Sequence, residues 1–322
     1  MLVSGNTSSL RDYLQLFRLP NVFTALADVT MGFLFTHAGL QPWGAYLVLA
    51  SASALLYLAG MVLNDVWDVE QDRRERPERP IAAGRIPWSS GRRIGIGLLL
   101  SGVVIGWAAG YVVPAELERA WRSGLIATLL ACLVVLYDAW LKRTPVGPLA
   151  MGGCRLLNVL LGMSLATVAT NRPVVVGYSP AQLLVAAGIG VYVAGVTWFA
   201  RREAAASSRW HLGAATAVMV AGIALLGMVH RALPAERSLT LRDETVWFLL
   251  LGLLAFVIVR RCLTAVFLPA PHRVQLAVTN AIWSLIVLDA AVVLLAGHVA
   301  WSLVVLGLLV PTVLLGRWIP ST

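Results

Sequence analysis

Ten apolar runs, each near or above the roughly 20 residues a helix needs to cross a bilayer, constrain this chain more than any other feature. They fall at about 21–38, 44–63, 93–113, 121–140, 147–169, 180–200, 210–230, 244–262, 274–296 and 299–316. In hydrocarbon a backbone must satisfy its own hydrogen bonds, which leaves helices or closed barrels. Continuous runs of this length select helices. The expected fold is therefore all-α, a polytopic membrane helix bundle. A hydrophobic content of 59% and a mean hydropathy of +0.79 place the chain outside the range of soluble domains. Only Gly297 and His298 separate the last two runs, so one broken helix is the alternative there.

The N-terminus lacks a charged segment followed by a short apolar stretch and an A-x-A site, so the first helix is expected to insert uncleaved. Cys132, Cys154 and Cys262 are isolated within apolar runs and read as packing residues, without disulfide or metal. Placing the N-terminus in the cytoplasm puts 18 Lys and Arg on the inner side and 6 on the outer, with Arg155 inside a helix. The positive-inside rule favours that orientation. The net charge of +9 then reflects topology and attraction for anionic lipid heads and diphosphates. Nothing in it points to nucleic acid.

Against this background residues 64–86 are unusual. Asp65, Asp68, Glu70, Asp72, Glu75 and Glu78 are interleaved with Arg73, Arg74, Arg76 and Arg79 directly after an apolar run, in a chain only 13% charged. At about 100° per residue, Asp65, Asp68 and Asp72 fall within roughly 60° of one another if the helix continues. Unpaired, three such carboxylates would repel. The spacing suits a hard cation, and Mg²⁺ usually brings a phosphate as a remaining ligand. Asn64 could add a neutral oxygen. Solvated charges at a membrane exit are the bland alternative, but they do not explain the Pro80-Ile-x-x-Gly-Arg85 turn that follows.

The segment resembles the first aspartate-rich motif of the UbiA superfamily of intramembrane prenyltransferases, N-D-x-x-D-x-x-x-D, at Asn64, Asp65, Asp68 and Asp72. Its R-P-[IL]-x-x-G-[RK]-[IV] continuation is met by Arg79, Pro80, Ile81, Gly84, Arg85 and Ile86. The resemblance implies a nine-helix core over residues 20–296, preceded by a tail and interfacial helix at 1–19 and followed by a tenth helix and tail at 297–322. It also implies Mg²⁺ held by Asn64, Asp65, Asp68 and Asp72, against a polyprenyl diphosphate. Arg79 and Arg85, fixed by the Pro and Gly around them, are expected to bind that diphosphate. Tyr137, Asp138, Lys142 and Arg143 resemble the family's Y-x-x-x-(x)-K-R signature, whose Tyr and Lys face the diphosphate. Lys142 is the only lysine. Arg18-Leu-Pro-Asn21 resembles the family's entry into its first helix, which assigns Asn21 to the pocket mouth, and Asn158 matches an Asn placed against the isoprenoid diphosphate.

The end of the sixth run departs from the family pattern. A second acidic motif, D-x-x-x-D, is expected there, whereas Val196 to Ala206 contain only Glu203, beside Arg201 and Arg202. Guanidinium groups cannot ligate a metal, but Arg201 could replace its charge against the leaving diphosphate. The divergent UbiA-like EboC group shares this lapse and resembles the chain most closely. The expected reaction moves an isoprenoid from an allylic polyprenyl diphosphate to a small acceptor, aromatic or cyclic, with Asp65, Asp68, Asp72, Lys142 and Asp138 as catalytic residues. Asp28 is a second candidate base. A carboxylate inside a membrane helix costs about 2.5–3.5 kcal/mol, so Asp28 either serves the reaction or pairs with Arg155. Two further readings stay open: a degenerate member that binds or carries a polyprenyl-linked lipid, and a secondary transporter. The expected location is a bacterial inner membrane.

Overall fold

A computed structural model of the chain describes residues 9–37, 39–112, 120–166, 175–201, 208–233, 241 and 243–318. Arg202 and Glu203 lie outside them. The described residues form helices α1 (Leu10–Leu16), α2 (Leu19–Thr36), α3 (Trp43–Trp67), α4 (Val69–Glu75), α5 (Trp88–Ala109), α6 (Trp121–Ala139), α7 (Gly147–Gly162) and α8 (Pro180–Ala200). α9 (Arg209–Gly227), α10 (Val229–Ala232), α11 (Glu244–Phe267), α12 (Pro271–Leu295), α13 (Val299–Gly307) and α14 (Leu309–Trp318) follow. Among the described residues, nine helical stretches are long and apolar enough to cross a membrane, counting α9 with α10 and α13 with α14. α11 turns Leu249, Leu253 and Phe256 outward, as a lipid-facing helix does. The protein is an integral membrane protein of all-α fold.

Helix ends follow local chemistry. Ser9 and Ser179 build capping boxes with Asp12 and Gln182 at the starts of α1 and α8. Gly297, at φ +102°, reverses the chain after α12, so the last two runs are separate helices. α7 departs from its expected extent to residue 169 and stops at Gly162. Its closing turn is held by Arg122 of α6, almost fully buried, which donates to the carbonyls of Ser164 at 2.5 Å, Ala166 at 2.6 Å and Gly177 at 2.8 Å. Buried carbonyls beyond a helix end need such a donor.

Two packing features place the site. α2 and α7 meet at Gly32 and Gly162, where an added Cβ would come within 2.5 Å of the Val159 carbonyl oxygen and 2.3 Å of the Val29 carbonyl oxygen, respectively. Backbones this close bring Asp28 on α2 beside Arg155 and Asn158 on α7. Separately, Leu16, Val62, Val66, Ile81 and Ile86 form a small apolar cluster. It fastens α1 and the turn after α4 to the end of α3, so the aspartate-rich segment is held over the bundle.

Candidate active site

α3 carries Asn64 and Asp65 to its last turns and ends at Asp68, whose φ of −93° and ψ of 7° leave the helical range. α4 resumes at Val69, and the amides of Asp68 and Asp72 still bond the carbonyls of Asn64 and Asp68. The three carboxylates therefore stay on one side of the chain, as the spacing requires. They do not repel one another unpaired. Arg79 donates to Asp72 at 2.7 Å and to Asp65 at 3.1 Å, bridging them. Arg18 adds a 2.8 Å contact to the same Oδ1 of Asp65. Lys142 reaches Asp68 Oδ2 at 2.7 Å, with Arg143 at 3.3 Å on Oδ1.

The carboxylates expected to hold Mg²⁺ are thus each paired with a basic side chain. Among the described residues, no three acidic, His or Cys side chains converge to hold a metal ion. Burial pushes the Asp72 carboxyl above its ordinary value, against the opposing pull of Arg79. The donor set still suits Mg²⁺: a neutral amide oxygen and three carboxylates are hard oxygen ligands, and each carboxylate contacts a basic side chain that a diphosphate could take over.

Below this network lies a cavity of about 270 Å³, enclosed by α2, α3, α6 and α7. Five residues singled out from sequence line it: Asn21, Asn64, Tyr137, Asp138 and Asn158. Asn64 donates to Asp138 at 3.2 Å, joining the metal motif to the cavity wall. The residues that sequence reasoning did not assign to the site include Arg18, Ser53, Tyr57 and Cys154. Arg18 precedes Pro20 and takes a left-handed backbone at φ 43°, which turns its side chain back toward Asp65. Its position beside the Leu-Pro-Asn entry was the one available signal.

At the other end of the cavity Arg155 donates to Asp28 at 2.8 Å and to Thr24 at 2.7 Å. Asn158 donates to the carbonyl of Ala25 at 2.9 Å and to Asp28 at 3.2 Å, and accepts from Ser53 at 2.6 Å. Asp28 is thus a paired carboxylate with no exposed surface, and Arg155 holds the place of its partner.

Two expected diphosphate ligands are elsewhere. Arg85 donates to Asp12 at 2.6 Å, to the Glu78 carbonyl at 2.8 Å and to Gln15 at 3.3 Å. It braces α1 to the turn. The amide of Ser9 donating to Asp12, with Arg85 beside it, holds the Asp12 carboxyl below its ordinary value. Arg201 donates to the carbonyls of Thr144, Lys142 and Pro145, fixing the loop that presents Lys142. Both sit beside the site and act on its frame.

The model of the UbiA prenyltransferase family matches residues 25–265. Digeranylgeranylglyceryl phosphate synthase of Ignicoccus hospitalis is 34% identical over 163 residues, 50% of this chain and 49% of that protein. Protoheme IX farnesyltransferase of Cereibacter sphaeroides is 28% identical over 149 residues, 45% of this chain and 44% of that one. The matched segments span about half the length of these curated relatives. A solved structure of digeranylgeranylglyceryl phosphate synthase is similar with a TM-score of 0.63 at 17% identity, covering 89% of this chain and 98% of that one. A UbiA homologue from Archaeoglobus fulgidus, bound to GPP and Mg²⁺, gives 0.54 at 14% identity over 92% and 99%. Likeness at that identity is a likeness of fold.

Proposed function

The chain belongs to the UbiA prenyltransferase family, and from that premise we propose that it transfers an isoprenoid from an allylic polyprenyl diphosphate to a small acceptor within the membrane. The observation that carries this reading is the pairing of Asp65, Asp68 and Asp72 with Arg18, Arg79 and Lys142 at the mouth of the cavity. The network is a charge-balanced resting state. Asn64, Asp65, Asp68 and Asp72 would hold Mg²⁺ through hard oxygen donors, while Arg18, Arg79 and Lys142 would be left to bind the diphosphate. When bound there, Mg²⁺ would supply positive charge against the leaving diphosphate.

The protein's own groups supply the rest. Lys142 and Arg79 stay near the leaving oxygens and stabilise the charge that grows as the allylic C–O bond breaks, the dominant demand of this reaction. The small, mostly apolar cavity excludes water from the carbocation. Tyr137 and Asn21 line the isoprenoid's entry, and Asp138, held by Asn64 at the cavity wall, takes the proton released by the acceptor. Arg85 and Arg201 keep the turn and the Lys142 loop in place. The site faces the cytoplasm of a bacterial inner membrane by its excess of basic residues.

The test is thermal stabilisation of the detergent-purified protein by geranyl, farnesyl and longer diphosphates, with and without Mg²⁺, for wild type and Asp68→Ala. Ligand at 100 times its dissociation constant adds about 2.7 kcal/mol. Mg²⁺-dependent stabilisation that Asp68→Ala abolishes is expected; none at any chain length overturns the reading. Binding without diphosphate release in the presence of a broad acceptor set would leave a lipid-binding protein, as the lapsed second motif of Val196 to Ala206 also permits.

A further inference from the structure

The inner end of the cavity holds a cluster that the proposed transfer does not use. Asp28 on α2 and Asp289 on α12 are both fully buried, on helices packed directly against each other, and each carboxyl bears on the charge of the other. Asp28 Oδ1 and both oxygens of Asp289 are sealed from solvent with no hydrogen-bond donor. Arg155 is the cation beside them, in contact with Asp28. Two carboxylates and one guanidinium would leave a net negative charge in the membrane interior, and two ionised carboxylates cannot bond each other. One proton shared between Asp28 and Asp289 eases both difficulties: it joins two of the three orphaned oxygens in one O–H···O bond and makes the three groups neutral together.

Arg155 lines the cavity while Asp28 and Asp289 stand behind it. Its charge is already answered. Among the described residues, Arg18 is the other cation lining the cavity, and it faces Asp65. No uncommitted positive charge is left for an anionic acceptor, because an anion drawing Arg155 away would expose Asp28 unpaired in a low-dielectric interior. A guanidinium has five N–H donors, so Arg155 can still donate to an uncharged oxygen while keeping Asp28 and Thr24.

The geometry points to a proton-sharing Asp28–Asp289 pair that neutralises Arg155 and so makes the inner end of the cavity a binding site for an uncharged oxygen-bearing acceptor, such as an alcohol, phenol or quinol, in preference to a carboxylate or phosphate. This rests on the cavity being the acceptor site of the proposed transferase, and it names the class of acceptor that the site takes.

Two probes of the same outline, 2-naphthalenemethanol and 2-naphthoate, test it without turnover. The readout is the rate at which a small methanethiosulfonate labels Cys154, which lines the cavity, in a Cys132→Ser background that removes the exposed thiol. In that otherwise wild-type protein the alcohol should protect Cys154 at a concentration about tenfold or more below that of the carboxylate. In Asp28→Asn/Asp289→Asn, where Arg155 is uncompensated, the order should reverse by a similar factor. A protonated-carboxyl band in the infrared spectrum, lost in Asp289→Asn, is the expected sign of the shared proton. Equal or better protection by naphthoate in the Cys132→Ser protein overturns the inference, as does protection by neither probe at millimolar concentration. The first comparison needs no change in the cluster, so a double variant that fails to fold does not shelter the idea. Mg²⁺-dependent stabilisation by polyprenyl diphosphates, followed on the same samples, reports separately on the transferase reading.

Discussion

Lys142 Nζ lies 2.7 Å from Asp68 Oδ2, across 74 residues of chain, and joins the loop after α6 to the end of α3. Because the pair is largely buried, removing either charge leaves the other uncompensated. The swap Asp68→Lys/Lys142→Asp should recover most of the stability lost by the single changes. It should not recover Mg²⁺-dependent stabilisation by polyprenyl diphosphates. Thermal melts of the four proteins with and without ligand separate the two effects; a swapped protein that binds as wild type would remove Lys142 and Asp68 from the site.

Arg79 bridges Asp65 and Asp72 with little exposed surface. Arg79→Gln therefore sets two buried carboxylates facing each other, a loss on the order of 3 kcal/mol. Millimolar Mg²⁺ should raise the melting temperature of the variant more than that of wild type, since a divalent ion can take the vacated position. An equal Mg²⁺ response in both would count against these carboxylates as its ligands.

Arg85 and Asp12 brace α1 outside the cavity. Arg85→Ala should lower stability and leave the affinity for a diphosphate within about threefold of wild type, as expected of a group that does not touch the ligand. The pH dependence has a definite sign. The Asp12 carboxyl sits below its usual value in the folded protein, so its contribution is present above the ordinary carboxylate value of about 3.9 and is lost as pH falls through the lower folded value. Asp12→Asn should thus be less stable than wild type at pH 7, with the difference shrinking below about pH 4. A gap that widens on acidification contradicts the brace.

Gly162 packs on α2 with its Cα where a methyl group would strike the Val29 carbonyl. Gly162→Ala should cost about 1–3 kcal/mol by forcing the two helices apart. It should also speed labelling of Cys154, as α7 moves from α2. A variant as stable as wild type would show that the helices yield without loss.

The membrane class, the span positions and the aspartate-rich motif were legible in the sequence because each is local: an apolar run, a spacing, a turn. Helix α7 ended early because its last turn answers to Arg122, a residue about 40 positions earlier, and no run of neighbours reports that contact. Arg85 and Lys142 show the same limit. Both follow family spacing, yet one lies against α1 and the other against Asp68, and only the packing of distant helices decides between them. Asp28 and Arg155 were visible as ionisable residues inside apolar runs, since hydrocarbon makes such residues conspicuous. Asp289 also lies inside an apolar run, but nothing local in α12 ties it to α2.

The early stop of α7 also shapes the electric field inside the bundle. Aligned peptide dipoles leave about half an elementary charge of positive sign at a helix start and the same of negative sign at its end. Arg122 donates to the carbonyls of Ser164 and Ala166 just past the end of α7, and its full positive charge outweighs the negative pole there. The opposite pole, at Gly147, follows directly on the loop of Lys142 and Arg143 and keeps its sign. The backbone of α7 thereby becomes a one-ended electrode, adding positive potential on the side of the protein where an anion would dock, with no side chain of its own committed to the task.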